Sequence, residues 1–324
     1  MYSYKELIEK VRQYFSDEHF IGTPAELYKP IEYTLTDGGK RIRPVLMLAA
    51  TQMFDGVIDD ARYAAIGIET FHNFTLLHDD LMDKSPLRRG KPTVYKKWDE
   101  NTAILSGDAM NTLAWHYFLK NNNRKLPEIL KTFERTSMEI CEGQQYDMNF
   151  ENRTDVTIAE YMEMIRLKTA VLLGCALKIG ALYGNATEEE VDNIYSFGIN
   201  IGLAFQLRDD LLDAYGDVAT FGKQTGTDIK DNKKTYLFLL AIQKADDSTR
   251  QRLLELFNTT PIDPSAKIQE VLDIYARLDI KKDVEDAIAD LHHKAKENLD
   301  NIKRPEANKQ ALVEIAQQLL NRKL

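Results

Sequence analysis

A chain of 324 residues with 44% hydrophobic and 29% charged residues has the composition of an ordinary water-soluble protein and is long enough to bury a large core. Its formal net charge of −9 argues against nucleic-acid binding, and no apolar run reaches the roughly 18 residues of a membrane span, so no stable membrane insertion is expected. Two cysteines, Cys141 and Cys175, have neither disulfide nor metal spacing and point to a reducing, cytoplasmic setting.

The stretch MYSYKELIEKVRQYF carries acids and no apolar core segment, so it reads as an amphipathic helix over 4–19 and not as a secretory leader. Pro24 and Pro30 punctuate a short second helix that stops at Asp37-Gly38-Gly39. Lys40-Arg41-Ile42-Arg43-Pro44 then places three cations in front of a helix over 45–54. Cations at a helix start oppose its dipole, so this cluster suggests that an anion is brought there.

A helix over 59–82 carries Glu69, Phe71, His72, Phe74 and Thr75 upstream of Asp79, Asp80 and Asp83. Residues four apart share a helix face, which aligns Asp79 with Asp83, and His72 lies two turns earlier on the same side. Phe71, Phe74, Leu77 and Leu81 are apolar with helical spacing, so the acids ride on a packed helix. Like charges at this spacing cost roughly 0.2–0.5 kcal/mol per pair, and Asp is a poor helix-interior residue, so the arrangement calls for a cation. Pro86, Arg88, Arg89, Gly90 and Pro92 follow as a tight turn whose two guanidiniums can fork onto phosphate oxygens.

Helices are predicted over 98–120, 126–150, 157–183 and 187–215, with no strand-like alternation of useful length. Three polar groupings stand on them: Gly143 to Asp147, Arg166 to Thr169, and Phe205-Gln206. Each taken singly reads better as an interhelical polar contact than as a functional group. The last of these helices ends in a second acidic triplet, Asp209, Asp210 and Asp213. Residues 216–228, with Gly216, Gly222, Lys223 and Gly226, read as a mobile loop over it, followed by Lys233 and Lys234. The remainder reads as packing helices over 236–244, 247–257, 264–276, 280–299 and 305–321, with Arg322 and Lys323 able to fold back onto a phosphate.

Hard carboxylate oxygens without cysteine suit Mg2+, which is held by one or two carboxylates and completed by water and phosphate oxygens. Two acid triplets facing one another across a helical bundle, ringed by Lys40, Arg43, Arg88, Arg89, Lys168, Lys223 and Lys233, describe a site for more than one polyphosphate. No Ser/His/Asp set or activated Cys supplies a nucleophile. Cations around a diphosphate leaving group stabilise charge as it develops, and a dry apolar cavity suits a hydrocarbon cation. The implied chemistry is ionisation of a phosphorylated hydrocarbon.

The set GGKRIRP (38–44), ExxH (69–72), LLHDDLMD…RRG (76–90), GQxxD (143–147), KT (168–169), FQLRDD (205–210) and GK…GTDI…K (222–233) resembles the trans-isoprenyl diphosphate synthases of the polyprenyl synthetase family. The resemblance implies one all-α domain over 1–324, an orthogonal bundle of about 12 to 13 helices around a central cavity, usually a homodimer. It implies condensation of isopentenyl diphosphate with an allylic diphosphate (dimethylallyl, geranyl or farnesyl), with about three Mg2+ per active site. Asp79 and Asp83 would hold two ions and Asp209 a third, with Asp80, Asp210 and Asp213 acting behind them. Arg88, Lys168, Lys223 and Lys233 would hold the allylic diphosphate, while Lys40, Arg43, His72 and Arg89 would hold isopentenyl diphosphate. Thr169 and Gln206 resemble groups that stabilise the allylic cation, and the departed diphosphate is the expected proton acceptor. Asp231-Asn232-Lys233 stands where many bacterial members have Glu-Gly-Lys, and is similar to the eukaryotic farnesyl form.

In this family residues upstream of the first aspartate floor the elongation pocket, which here means Phe71, Phe74 and Thr75. An aromatic five before Asp79 with a small residue after it resembles the geranylgeranyl type, so a C20 product is expected first and C15 next. The alternative is a longer-chain polyprenyl synthase. A class I terpene cyclase would lack GGKRIRP, and a non-catalytic partner subunit would have lost one triplet; this chain has both features.

Overall fold

A computed structural model describes residues 1–36, 39–120, 123–216 and 225–320. The expectations placed on Asp37, Gly38, Gly222, Lys223, Arg322 and Lys323 lie outside those residues. Among the described residues the chain is almost entirely helical, as its periodicity predicts, and one two-stranded ribbon is the sheet.

The elements are α1 (Tyr4–Ser16), α2 (Ala25–Thr36), α3 (Ile42–Met53), a 3-10 turn (Ile58–Ala61), α4 (Arg62–Met82), β1 (Leu87–Arg88), β2 (Lys91–Pro92) and α5 (Val94–Lys97). They continue with α6 (Glu100–Leu119), α7 (Leu126–Glu151), α8 (Ile158–Ile165), a π segment (Arg166–Ala170), α9 (Val171–Tyr183) and α10 (Glu188–Tyr215). The last are α11 (Thr227–Lys230), α12 (Tyr236–Lys244), α13 (Asp247–Phe257), α14 (Ser265–Arg277), α15 (Ile280–Asp300) and α16 (Glu306–Leu320). Among the described residues there are sixteen α-helical segments, against an expected 12 to 13, for a physical reason. The apolar pattern over 157–183 runs unbroken through the π segment, and the single turns α5 and α11 are too short to show a period.

The chain forms two compact units, each assembled from separated stretches: Met1–Thr132 with Ala176–Asp192 and Arg304–Ile315, and Phe133–Cys175 with Asn193–Lys303 and Ala316–Leu324.

In the first unit α4 packs along α6, with α2 and α3 beside them. Gly67 permits the close approach, because a Cβ there would stand 3.1 Å from the Ala114 carbonyl and 3.2 Å from the Phe118 ring. Every residue from Pro44 to Met53 of α3 is buried, so this helix is a core element and its leading cations are its one polar end.

In the second unit Leu203, Leu207 and Leu211 of α10 pack with Tyr161 and Ile165 of α8, Leu237 and Phe238 of α12, Tyr275 of α14 and Val284 of α15. Each such side chain contributes on the order of 1.5–3 kcal/mol by leaving water. The core therefore fixes α10, and with it the second acidic triplet.

Candidate active site

The first triplet ends α4. Asp83 caps the helix by donating its N–H to the Asp79 carbonyl at 2.8 Å. The chain then reverses through the ribbon, where Arg88 pairs with Lys91 and the tip residues Arg89 (φ 54°) and Gly90 (φ 78°) are both left-handed. Two positive φ values match the two-residue hairpin turn that suits strand twist. The turn carries Arg88 back over the triplet, with Nε 2.8 Å from both Asp80 carboxylate oxygens and Nη2 2.8 Å from Oδ1. The same guanidinium stands 3.8 Å from Asp79 Oδ2. Burial pushes the Asp80 carboxyl above its usual range despite these bonds. Asp80 is thus the buried, guanidinium-bound member, and Asp79 and Asp83 are more exposed.

The hairpin tip also meets the basic loop. Gly39 is left-handed (φ 95°), a conformation glycine adopts freely, and a Cβ there would fall 2.8–3.0 Å from the Arg89 guanidinium. Arg41, left-handed at the start of α3, donates to the Leu35 carbonyl at 2.7 Å and lies 4.0 Å over the Phe15 ring. Arg41 therefore braces the loop, with Lys40 exposed on the same loop and Arg43 in the first turn of α3. Burial pushes the Arg43 guanidinium down to about 10, with Glu69 opposing. Glu69 is only 2% exposed, and its carboxyl is raised first by burial, against the charges of Arg43, Arg41 and Arg89. Burial, then Arg43, Arg89 and Arg88, hold His72 well below the usual histidine value, so it is neutral at pH 7. The structure thus brings Arg43, His72, Arg88 and Arg89 into one electrostatic neighbourhood.

The residues expected to set chain length lie on α4 just upstream. Phe71 is buried and its ring centroid is 5.4 Å from that of Phe74, which meets His78 edge-on at 4.9 Å. The Thr75 hydroxyl donates to the His72 carbonyl at 2.8 Å and is turned into its own helix.

In the second unit the π segment is closely approached from two sides. A Cβ on Gly143 of α7 would stand 2.4 Å from the Lys168 N, and one on Gly202 of α10 would stand 2.7 Å from the Ala170 Cα. Lys168 Nζ reaches Asp147 Oδ2 at 2.6 Å. Thr169 Oγ1 donates to Gln206 Oε1 at 3.3 Å, and Gln206 Nε2 donates to Asp210 Oδ1 at 3.1 Å. Tyr161 Oη donates to the other Asp210 oxygen at 2.5 Å. Thr169, Gln206, Asp210 and Tyr161 therefore form one hydrogen-bonded chain, and Lys168, next to Thr169 in sequence, pairs with the GQxxD aspartate. Burial raises Asp210 to about 6 against the bonds from Tyr161 and Gln206.

Asp213 accepts from the Thr227 hydroxyl at 2.7 Å and the Asp228 N–H at 2.9 Å. Burial and the neighbouring Asp213 and Asp210 push Asp228 up to about 8. Lys233, exposed, donates its N–H to the Asp228 carbonyl at 2.8 Å. Asp209 is partly exposed on the same helix. Sequence reasoning assigned no role to Tyr161 or Asp228. Tyr161 lies 49 residues from its partner and carries no local signal; Asp228 stood inside the GTDI motif, unread.

Among the described residues, no three His, Cys, Asp or Glu side chains are gathered closely enough to hold a metal by themselves. Carboxylates at i and i+4, Asp79 half-buried and Asp83 exposed, beside a guanidinium fit an ion completed by phosphate oxygens, as Mg2+ is.

The polyprenyl synthetase family model matches residues 24–275. The short chain isoprenyl diphosphate synthase of Methanothermobacter thermautotrophicus is 36% identical over 315 residues, covering 97% of this chain and 94% of the relative. The geranylfarnesyl diphosphate synthase of Natronomonas pharaonis is 37% identical over 336 aligned positions, covering 97% and 95%. A crystal structure of a geranylgeranyl pyrophosphate synthase is similar with a TM-score of 0.94 at 44% identity, over 100% of both chains.

Proposed function

The chain belongs to the polyprenyl synthetase family and is a trans-isoprenyl diphosphate synthase with the all-α isoprenoid synthase fold, and from that premise we propose that it makes chiefly geranylgeranyl diphosphate. The observation that carries the reading is the likeness over the full chain, at 44% identity, to a geranylgeranyl pyrophosphate synthase structure, and the polar contacts within each triplet are consistent with it. Asp80 is bound by Arg88, Asp210 by Tyr161 and Gln206, and Asp213 by Thr227 and Asp228. Asp79, Asp83 and Asp209 are the members assigned to metal.

Asp79 and Asp83 would hold two Mg2+ and Asp209 a third; when bound, these ions stabilise the charge of the departing diphosphate. Arg88, Lys168, Lys233 and Lys223 bind the allylic diphosphate. Arg43, Lys40, Arg89 and neutral His72 bind isopentenyl diphosphate. Thr169 and Gln206 present oxygen dipoles to the allylic cation, and Asp210 holds Gln206 in place. The proton lost after the carbon bond forms goes to the released diphosphate.

Phe71, Phe74 and Thr75 set the product length, with Phe74 the steric stop. The likeness to a geranylfarnesyl synthase favours one specific second reading, a product one isoprene unit longer. We take the 324 residues as one functional domain, because both compact units are assembled from interleaved stretches. The protein is read as a cytoplasmic homodimer, with exposed Leu105 (60%) and Leu119 (60%) on α6 as apolar surface for pairing. No helix among the described residues is long and apolar enough to cross a membrane.

Incubation with Mg2+, isopentenyl diphosphate and each of dimethylallyl, geranyl and farnesyl diphosphate, followed by chromatography of the prenyl products, tests the reading. A C20 diphosphate supports it; a cyclised hydrocarbon or unchanged primer overturns it.

A further inference from the structure

Helix α14 carries a lysine whose surroundings are unusual. Lys267 is 4% exposed, and its ammonium is held by the Asn232 Oδ1 and, at 3.1 Å, by the Thr259 carbonyl, with the Phe257 ring 5.4 Å away. Burying an ammonium is costly unless its donors are satisfied, so this placement has a structural object. The object is Asn232. That residue is left-handed (φ 61°), and its side-chain amide also donates to Thr260 Oγ1 at 3.3 Å. Asparagine tolerates this conformation and glycine adopts it freely, which explains why a Gly-for-Asn exchange is compatible with the turn.

The turn held in this way is continuous with the second acidic triplet. The Asn232 N–H donates to the Ile229 carbonyl at 3.3 Å, and the Lys233 N–H donates to the Asp228 carbonyl at 2.8 Å. At the other end of α11, the Gly226 N–H donates to the Asp213 carbonyl at 2.6 Å and the Asp228 N–H to the Asp213 carboxylate at 2.9 Å. Helix α14 touches this clip at both ends. Ile268, next to Lys267, lies so close under Gly226 (φ 78°) that a Cβ there would stand 2.8 Å from it.

We propose that Lys267 is a positioning residue for the diphosphate site: by holding Asn232 left-handed it fixes the direction in which Lys233 leaves the turn, and α14 is the platform of a clip that joins Lys233 to Asp213. This rests on the assignment of Lys233 to the allylic diphosphate. It gives chemistry to a helix whose sequence reads as packing alone.

The test is a steady-state double-mutant cycle on the full chain with Mg2+, isopentenyl diphosphate and farnesyl diphosphate, using Lys267→Met, Lys233→Ala and both together. Lys267→Met raises KM for farnesyl diphosphate by about tenfold, as expected for a displaced binding group, and leaves KM for isopentenyl diphosphate within about twofold. In the Lys233→Ala background it adds no further rise, because both changes remove the same contact. Asn232→Gly keeps the backbone conformation while deleting the acceptor, and shows a smaller rise in the same constant alone. If Lys233→Ala raises that KM and Lys267→Met does not, the positioning role is overturned and the site assignment stands. If Lys233→Ala has no effect, the assignment itself falls and the proposal with it. A rise in both KM values, or one that persists in the Lys233→Ala background, marks Lys267 as merely structural and overturns the proposal. Should Lys267→Met fail to fold, an unchanged KM for farnesyl diphosphate in Asn232→Gly overturns it equally.

Discussion

His72 shows how burial among cations sets a protonation state. Its unfolded value is near 6.5, and burial together with Arg43, Arg89 and Arg88 keeps the folded imidazole neutral well below that. As pH falls below 6.5 the unfolded chain takes up a proton that the folded chain refuses. Stability is therefore unaffected by His72 above pH 6.5 and declines below it by at most about 1.4 kcal/mol per pH unit. His72→Gln removes that slope, so the difference between urea-unfolding free energies at pH 7.5 and 5.5 shrinks by about 1 kcal/mol relative to the parent. An unchanged difference contradicts the neutral assignment. Tyr161 and Asp210 give a second case. Tyr161→Phe leaves one oxygen of the buried Asp210 carboxyl without its donor, the other still bonded by Gln206, a loss of about 1–3 kcal/mol in chemical denaturation. Because that bond lowers the Asp210 value, its removal carries Asp210 above about 6. A stability change near zero would mean that the bond does not form.

Among the elements, the π segment governs the second triplet's surroundings. It is approached by Gly143 and Gly202, and its register presents Lys168 to Asp147 and Thr169 to Gln206. Gly143→Ala drives a methyl into the backbone of Leu167 and Lys168, where no flexible side chain can yield. The expected outcome is a loss of roughly 1–3 kcal/mol in thermal unfolding, as for overpacking, and a raised KM for the allylic diphosphate. Wild-type values for both would show that α7 does not fix the segment. Most helix spans were legible, since apolar side chains at helical spacing declare themselves locally, as Leu7, Val11 and Phe15 do in α1. The π segment was not, because Arg166-Leu167-Lys168-Thr169 continues the helical pattern while one extra residue is looped into the turn. The β1–β2 ribbon was visible as a tight turn at Arg89-Gly90 but not as strands, having two residues a side. The residues proposed for the site were singled out by type and spacing alone. What sequence could not supply was which oxygen each donor takes, such as Tyr161 on Asp210, because such pairs are made by tertiary packing.

For the whole molecule, product length and metal use are the consequences. Phe74 stands edge-on to His78 and against buried Phe71 on the helix that carries the first triplet. With Phe74 as the steric stop proposed above, Phe74→Ala is expected to shift the products to longer prenyl diphosphates, read by chromatography. A product distribution identical to the parent's shows that Phe74 only packs. The account depends most on both triplets serving one departing diphosphate in one step. Groups that act as a unit are not additive when removed. The direct measurement is single-turnover condensation by Asp79→Asn, Asp209→Asn and the double variant, all with Mg2+, farnesyl diphosphate and isopentenyl diphosphate. Each single change is expected to lower the rate by about a thousandfold, and the double variant to be no slower than the worse single one. Near-parental turnover in either single variant, or a double loss equal to the product of the two, would contradict it.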